Sequence, residues 1–171
     1  MPETVVEYTQ RLLGYSEGSD PLSIQASTAD KLSSLVRDCT REQLFRAPAP
    51  GKWSIAQIIA HLADAELAIA WRLRQILSSN AVALQAYDQD SWASTFNYAE
   101  RDPHESLATF RALRSADVAL LKSVPKALWD NYGMHQERGK ETIHHMVNMT
   151  AGHDLNHLRQ IEKIVSEQNG R

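Results

Sequence analysis

Cysteine is nearly absent from this chain: Cys39 stands alone among 171 residues. One thiol cannot close an intrachain disulfide, so a reducing, cytoplasmic setting is the default expectation. No block of lysine and arginine occurs and the formal net charge is −3, so the electrostatic footprint of a nucleic-acid binder is missing. No long apolar run occurs either. The longest apolar-rich stretch, Ile55 to Leu77, is interrupted by His61, Asp64, Glu66, Arg72 and Arg74, which excludes a membrane span. The N-terminus carries Glu3 and Glu7 and lacks a continuous apolar segment, which argues against a secretory signal. Glycine and proline total 13 residues and fall mostly between segments of helical periodicity. Internal repeats and low-complexity tracts are absent. No segment alternates with the two-residue period of a strand, so no sheet is expected.

What is present reads as helix. The chain is long enough for one domain with a real core, 1–171, and its 43% hydrophobic and 23% charged residues are ordinary for a globular protein. Thr4 to Leu13 reads as a short amphipathic helix. Asp20-Pro21 supplies an N-cap and a first-turn proline for a helix reaching about Asp38. Thr40 to Lys52 is a connector, with one possible turn over Glu42 to Phe45. Ser54 caps a long helix to about Ser79, whose apolar residues Ile55, Ile58, Ile59, Leu62, Ile69, Leu73, Ile76 and Leu77 share one arc. Asn80 to Asp102 is a long connection rich in aromatics (Tyr87, Trp92, Phe96, Tyr98), with a helical turn expected around Asp88 to Ala93. Asp102, Pro103 and Glu105 start a further long helix to about Ser123. A short turn over Pro125 to Trp129 and a glycine-punctuated loop over Asn131 to Lys140 lead to a last helix from about Thr142 to Gln168. The expected fold is all-α: an antiparallel four-helix bundle with an extra short N-terminal helix.

The chemistry lies in three histidines. His153 and His157 are four residues apart in the last helix, so their imidazoles leave one face a turn apart and can share one divalent metal ion. Both sit at the edge of a core-facing arc. His61 occupies the same kind of position in the Ser54 helix, and Ala65 and Ala68 leave space beside it. Bundles build metal sites from facing helices in this way, and three neutral histidines leave a coordination position open for a substrate. The alternative for each is a packed or solvated histidine. The other histidines fit less well: His144 points away from His153, His145 reads as structural or surface, and His104 reads as exposed. His135 is a candidate substrate contact or support for a ligand. Glu141-x-x-His144 is half of a di-iron signature without its second half. Asp64 is placed to support His61 or to be a solvated carboxylate. Asp88, in the aromatic connection, is a candidate general base or a turn cap. Asn156 and Gln160 flank the histidine pair, and Trp53 reads as a hydrophobic staple. Arg72 and Arg159 are possible anion contacts.

Three stretches carry a resemblance. They are Gly51-Lys52-Trp53-Ser54 with His61-Leu62-Ala63-Asp64 downstream, Tyr87-Asp88-Gln89-Asp90-Ser91-Trp92, and His153 to Ile161. In order and spacing the chain resembles the DinB-like family of metal-binding four-helix bundles, which includes relatives of the bacillithiol and mycothiol transferases. The resemblance implies a DinB/YfiT-like bundle, zinc or nickel held by His61, His153 and His157, and a homodimer. The function expected is that of a metal-dependent hydrolase or thiol S-transferase acting on a small molecule, such as a low-molecular-weight thiol, with Asp88 as the candidate catalytic base. The alternative is a stress-related metal or small-ligand binder without turnover.

Overall fold

The computed structural model describes residues 3–170. Among the described residues there are seven α-helices, α1 (Val5–Ser16), α2 (Pro21–Val36), α3 (Arg41–Phe45), α4 (Ile55–Ser78), α5 (Gln89–Thr95), α6 (Pro103–Ser123) and α7 (Ile143–Asn169), and one short 3-10 helix, Lys126–Asp130, where a turn was expected. The polar residues before them explain where they start. Thr4, Thr40 and Ser54 each accept a backbone N–H from Glu7, Gln43 and Gln57, whose side chains accept the cap residue's own N–H in return. Asp20 and Asp102 precede a proline at the first helical position, where its missing N–H costs nothing. Thr142 caps α7 by accepting from the His145 amide.

The four long helices α2, α4, α6 and α7 make the bundle, and their pairing is more specific than simple antiparallel alternation. Along α4 and α6, Glu66 meets Arg114 and Arg74 meets Asp117, so both helices advance together and run parallel. Along α2 and α7, Gln25 meets Val147 and Thr28 meets Asp154, again in parallel. The two pairs oppose each other: Arg111 reaches back to Asp30 across α6 and α2, and His61 faces His153 across α4 and α7. A parallel neighbour requires the chain to return along the whole bundle. The long connection between α4 and α6 makes that return, which is why it is long.

That connection and the segment before α7 also form a small sheet that the periodicity did not reveal. Strand β1 (Val82–Leu84) pairs in parallel with β2 (Tyr132–His135), which forms a hairpin with β3 (Gly139–Thr142). The sequence reading of Asn131 to Lys140 as a plain loop is therefore corrected to a hairpin. Its four-residue strands are too short to show an alternating pattern, and β2 contains Gly133.

The core is two apolar clusters separated by a polar layer. One end packs Leu32, Ile55, Ile58, Ile59, Leu62, Phe110, Ile161 and Ile164; the other packs Leu73, Ile76, Leu84, Leu121, Trp129, Ile143 and Val147. Between them lie Gln25, Thr28, Glu66, Arg114 and Asp154, all buried, and the level of this layer on α4 and α7 is also that of the three histidines. Helix α1 lies antiparallel against α7, with Arg11 bonded to Asn156 and Ser16 to the Asn148 carbonyl. Among the described residues no helix is long and apolar enough to cross a membrane.

Candidate metal centre

Helix α4 presents His61 and helix α7 presents His153 and His157 to one point. The Nε2 atom of His153 is 3.1 Å from Nε2 of His61 and 3.1 Å from Nε2 of His157. Metal–nitrogen bonds of the usual length would set neighbouring ligand atoms roughly 2.9–3.4 Å apart. The surrounding contacts fix the rings. Nδ1 of His157 lies 3.0 Å from Oε1 of Gln160, an acceptor only, so His157 carries its proton on Nδ1 and turns a bare Nε2 toward the other two rings. Trp53 packs at a tilt against His61, with ring centroids 5.1 Å apart, and Tyr98 meets Trp53 edge-on behind it.

The protonation chemistry points the same way. Burial, followed by the neighbouring His157, pushes the pKa of His61 down to about 3. Burial and the adjoining rings hold His153 well below the ordinary histidine value, and burial lowers His157, partly offset by Gln160 and Asp154. All three are neutral at pH 7, the form that ligates. Protons alone cannot satisfy the cluster. With His157 Nε2 bare, a proton on His153 Nε2 can bond only one of its two neighbours at a time. A cation between the three nitrogens satisfies every contact at once, so the residues present fit a divalent ion. No other group of this kind occurs among the described residues.

The family model of the DinB superfamily matches residues 26–161. The chain belongs to the DinB superfamily. Among its DinB relatives is a Bacillus subtilis protein named "Putative metal-dependent hydrolase YfiT", 26% identical over 136 residues, with 78% of this chain and 76% of that one covered. An Oceanobacillus iheyensis protein of the same description is 28% identical over 134 residues, covering 78% and 77% of the two chains. The solved structure of the Bacillus subtilis YfiT, described as having "an unusual four-helix bundle topology", superposes with a TM-score of 0.82 at 22% identity, covering 87% of this chain and 86% of that one. That likeness supports the bundle and the flanking helices of the DinB fold seen here.

In this DinB chain the histidine cluster opens onto a cleft of about 410 Å³ between α1, α4, α7, the hairpin and the start of the aromatic connection. His61 and His153 line it, and His157 lies behind them. Ala65 lines the wall next to His61, as expected for a small residue there, whereas Ala68 does not reach it. His135 and Arg72 also line the cleft, as do Tyr8 and Leu12 of α1 and Glu141 and Arg138 of the hairpin region.

Other residues singled out in the sequence have different places. Asp88 is exposed and caps α5, accepting the amides of Asp90 and Ser91 at 2.9 Å each. It does not line the cleft, although its neighbours Tyr87 and Gln89 do. Asp64 pairs with Arg101 at 2.8 Å rather than with a histidine. Asn156 ties α7 to α1 through Arg11, and Arg159 lies over the Tyr15 ring, 4.3 Å from its centre. His144 packs edge-on against Trp129 and His104 is exposed.

One neighbourhood was not legible in sequence. Asp154, between the two histidines of α7, is fully buried and bound by Arg114, which also takes both oxygens of Glu66 at 2.7 Å each. Thr28 donates to Asp154 at 2.8 Å. Burial opposes the charge on Arg114, but Asp154 and Glu66 outweigh it and keep the guanidinium protonated. This cluster anchors the α7 backbone beside His153. The only signal for it was the coincidence of charged residues inside otherwise apolar arcs.

Proposed function

We propose that this protein is a metal-dependent enzyme, either a hydrolase or a thiol S-transferase. The observation that carries the reading is the convergence of three neutral imidazole nitrogens at the inner end of a cleft, with His153 facing the open space. His61, His153 and His157 would hold the ion; an all-imidazole set suits zinc, nickel, copper and iron alike, and the family resemblance supports zinc or nickel among them. When bound, a divalent ion supplies Lewis acidity that lowers the pKa of a water or thiol it meets. The chain supplies the rest. Gln160 fixes the His157 tautomer, Trp53 seats His61, and Tyr8, whose phenol is held protonated by burial, is available as a donor at the cleft wall. The relatives named as hydrolases support hydrolysis, and the resemblance to bacillithiol and mycothiol transferases supports a low-molecular-weight thiol as a substrate. Asp88 serves as a base in this scheme only if its capping bonds are released.

Elemental analysis of the purified chain should find about one divalent ion per chain, and His153→Ala with His157→Ala should abolish it. Unchanged metal content in the double variant would sink the site. Metal-dependent rates on ester or amide substrates, or on thiols with electrophiles, decide between the two reactions. A full metal complement without turnover on any of them would instead make the protein a binder. The resemblance also supports a homodimer. Leu67 and Trp71, one turn apart on α4 and 56% and 64% exposed, offer the apolar stripe a second copy would cover. The solution mass tests it.

A further inference from the structure

The cleft has a second polar end, remote from the histidine cluster. Arg72 follows His61 by eleven residues on α4. That spacing returns it to within about 20° of the same helix face, about 16 Å further along the axis. Ala65 and Ile69 line the cleft between them. Arg72 is only 7% exposed. Its Nη2 donates to the Gln85 carbonyl at 2.5 Å, and the Tyr87 ring lies beneath the guanidinium, 5.6 Å away. No carboxylate pairs with it among the described residues. A buried guanidinium without a counter-charge is costly, and the N–H groups that Gln85 leaves free border the cleft.

His135 completes this end from the hairpin. It is 4% exposed and lines the same cleft. Its Nδ1 accepts the backbone N–H groups of Glu137 and Arg138, at 3.2 and 3.4 Å. A nitrogen that accepts two donors carries no proton, so the ring proton sits on Nε2 and is free to donate. Of the other charges nearby, Arg138 is held by both oxygens of Glu141, at 2.6 and 3.2 Å, and Glu137 lines the cleft from an exposed position without pairing to Arg72. Arg72 is left as the buried cation of this end with no carboxylate paired to it among the described residues.

We propose that Arg72 and His135 form a carboxylate-binding subsite, so that the substrate is an elongated molecule with its reactive group at the three histidines and a carboxylate at the hairpin end of the cleft. The placement of the reactive group rests on the metal-enzyme reading above. The single positive charge and planar donors match a carboxylate. A phosphate dianion would leave excess charge between the apolar walls of Leu12, Ile69 and Met146.

The test is calorimetric titration of the full chain with 4-phenylbutyrate, the isosteric 4-phenylbutanamide and inorganic phosphate, before and after loading with zinc. The chelator-treated protein should bind the carboxylate at least tenfold more tightly than the amide or phosphate. Arg72→Gln should remove that preference, and His135→Phe should weaken carboxylate binding several-fold, while zinc stoichiometry stays unchanged in both. Equal affinity for acid and amide, tighter binding of phosphate, no binding of either organic probe, or carboxylate binding seen only with zinc present would each overturn the subsite. If Arg72→Gln fails to fold, the wild-type comparison of acid with amide still decides. Loss of zinc binding with the acid preference intact would instead overturn the metal reading and leave the subsite standing.

Discussion

At the scale of single residues, position 152 shows how closely this structure is fitted. A Cβ on Gly152 would lie 2.0 Å from the Leu12 carbonyl oxygen and 2.6 Å from its carbon, both backbone atoms that cannot rotate aside. Glycine is there because α1 and α7 touch backbone to backbone. Alanine would gain about 1 kcal/mol of helix propensity but force the two helices apart, at a cost of about 1–3 kcal/mol. Gly152→Ala should therefore lower the melting temperature by a few degrees and loosen α1, seen as faster hydrogen exchange there. Metal content should stay near one per chain, because the three ligands belong to α4 and α7. An unchanged melting curve and exchange pattern would mean α1 is not seated as described. The same scale governs acid sensitivity. The three histidines have folded pKa values below the ordinary 6.5, so below that pH the unfolded chain binds more protons than the folded one. Chelator-treated protein should thus hold full stability above about pH 6.5 and lose it as the pH falls toward the folded values. Denaturation midpoints measured between pH 8 and pH 5 check the sign. A flat profile would contradict neutral, buried rings.

At the scale of elements, the helices were legible because their starts are written in local chemistry: Asp20-Pro21, Ser54 with Gln57, and Asp102-Pro103 all mark ends that the structure keeps. The histidine pair was legible because four residues is a helical turn. The hairpin was not legible, because strands of four residues carry no period. The pairing of helices was not legible either: which faces meet depends on contacts between residues far apart in sequence, such as Thr28 with Asp154. The short helix α5 lies between these cases. Its position was expected, but whether Asp88 caps it or performs chemistry depends on where the carboxylate points, and in the structure it accepts two amides of its own helix. Asparagine keeps a cap acceptor and cannot act as a base. Asp88→Asn should therefore leave melting temperature and any metal-dependent rate close to wild type, whereas Asp88→Ala should cost about 0.5–2 kcal/mol. A rate loss of a hundredfold or more in Asp88→Asn with unchanged stability would return Asp88 to the reaction.

At the scale of the whole molecule, the buried ion cluster joins all four long helices. Arg114 from α6 binds Glu66 of α4 and Asp154 of α7, and Asp154 in turn accepts from Thr28 of α2. The bundle has two parallel pairs, and apolar faces alone would tolerate sliding or exchange of neighbours. A cluster with one arginine and two carboxylates in one layer penalises every arrangement that separates them. Such a cluster need not make the fold more stable than a well-packed apolar layer would, but removing one member leaves buried charge uncompensated. Arg114→Met should destabilise the protein by about 3–5 kcal/mol near neutral pH. The sign of its pH dependence is also determined. Burial already raises the pKa of Glu66, opposed by Arg114. Without the guanidinium that carboxyl would be held protonated to higher pH. A folded pKa raised above the unfolded one favours folding at low pH and loses that contribution as pH rises. The gap between wild type and Arg114→Met should hence narrow on acidification from pH 8 toward pH 5, in urea titrations of both chelator-treated proteins. Arg114 also helps to hold the His153 value down, so its removal eases the acid loss from that ring in the variant and narrows the gap in the same direction. A gap that stays constant with pH would assign the loss to packing and not to the stranded carboxylates.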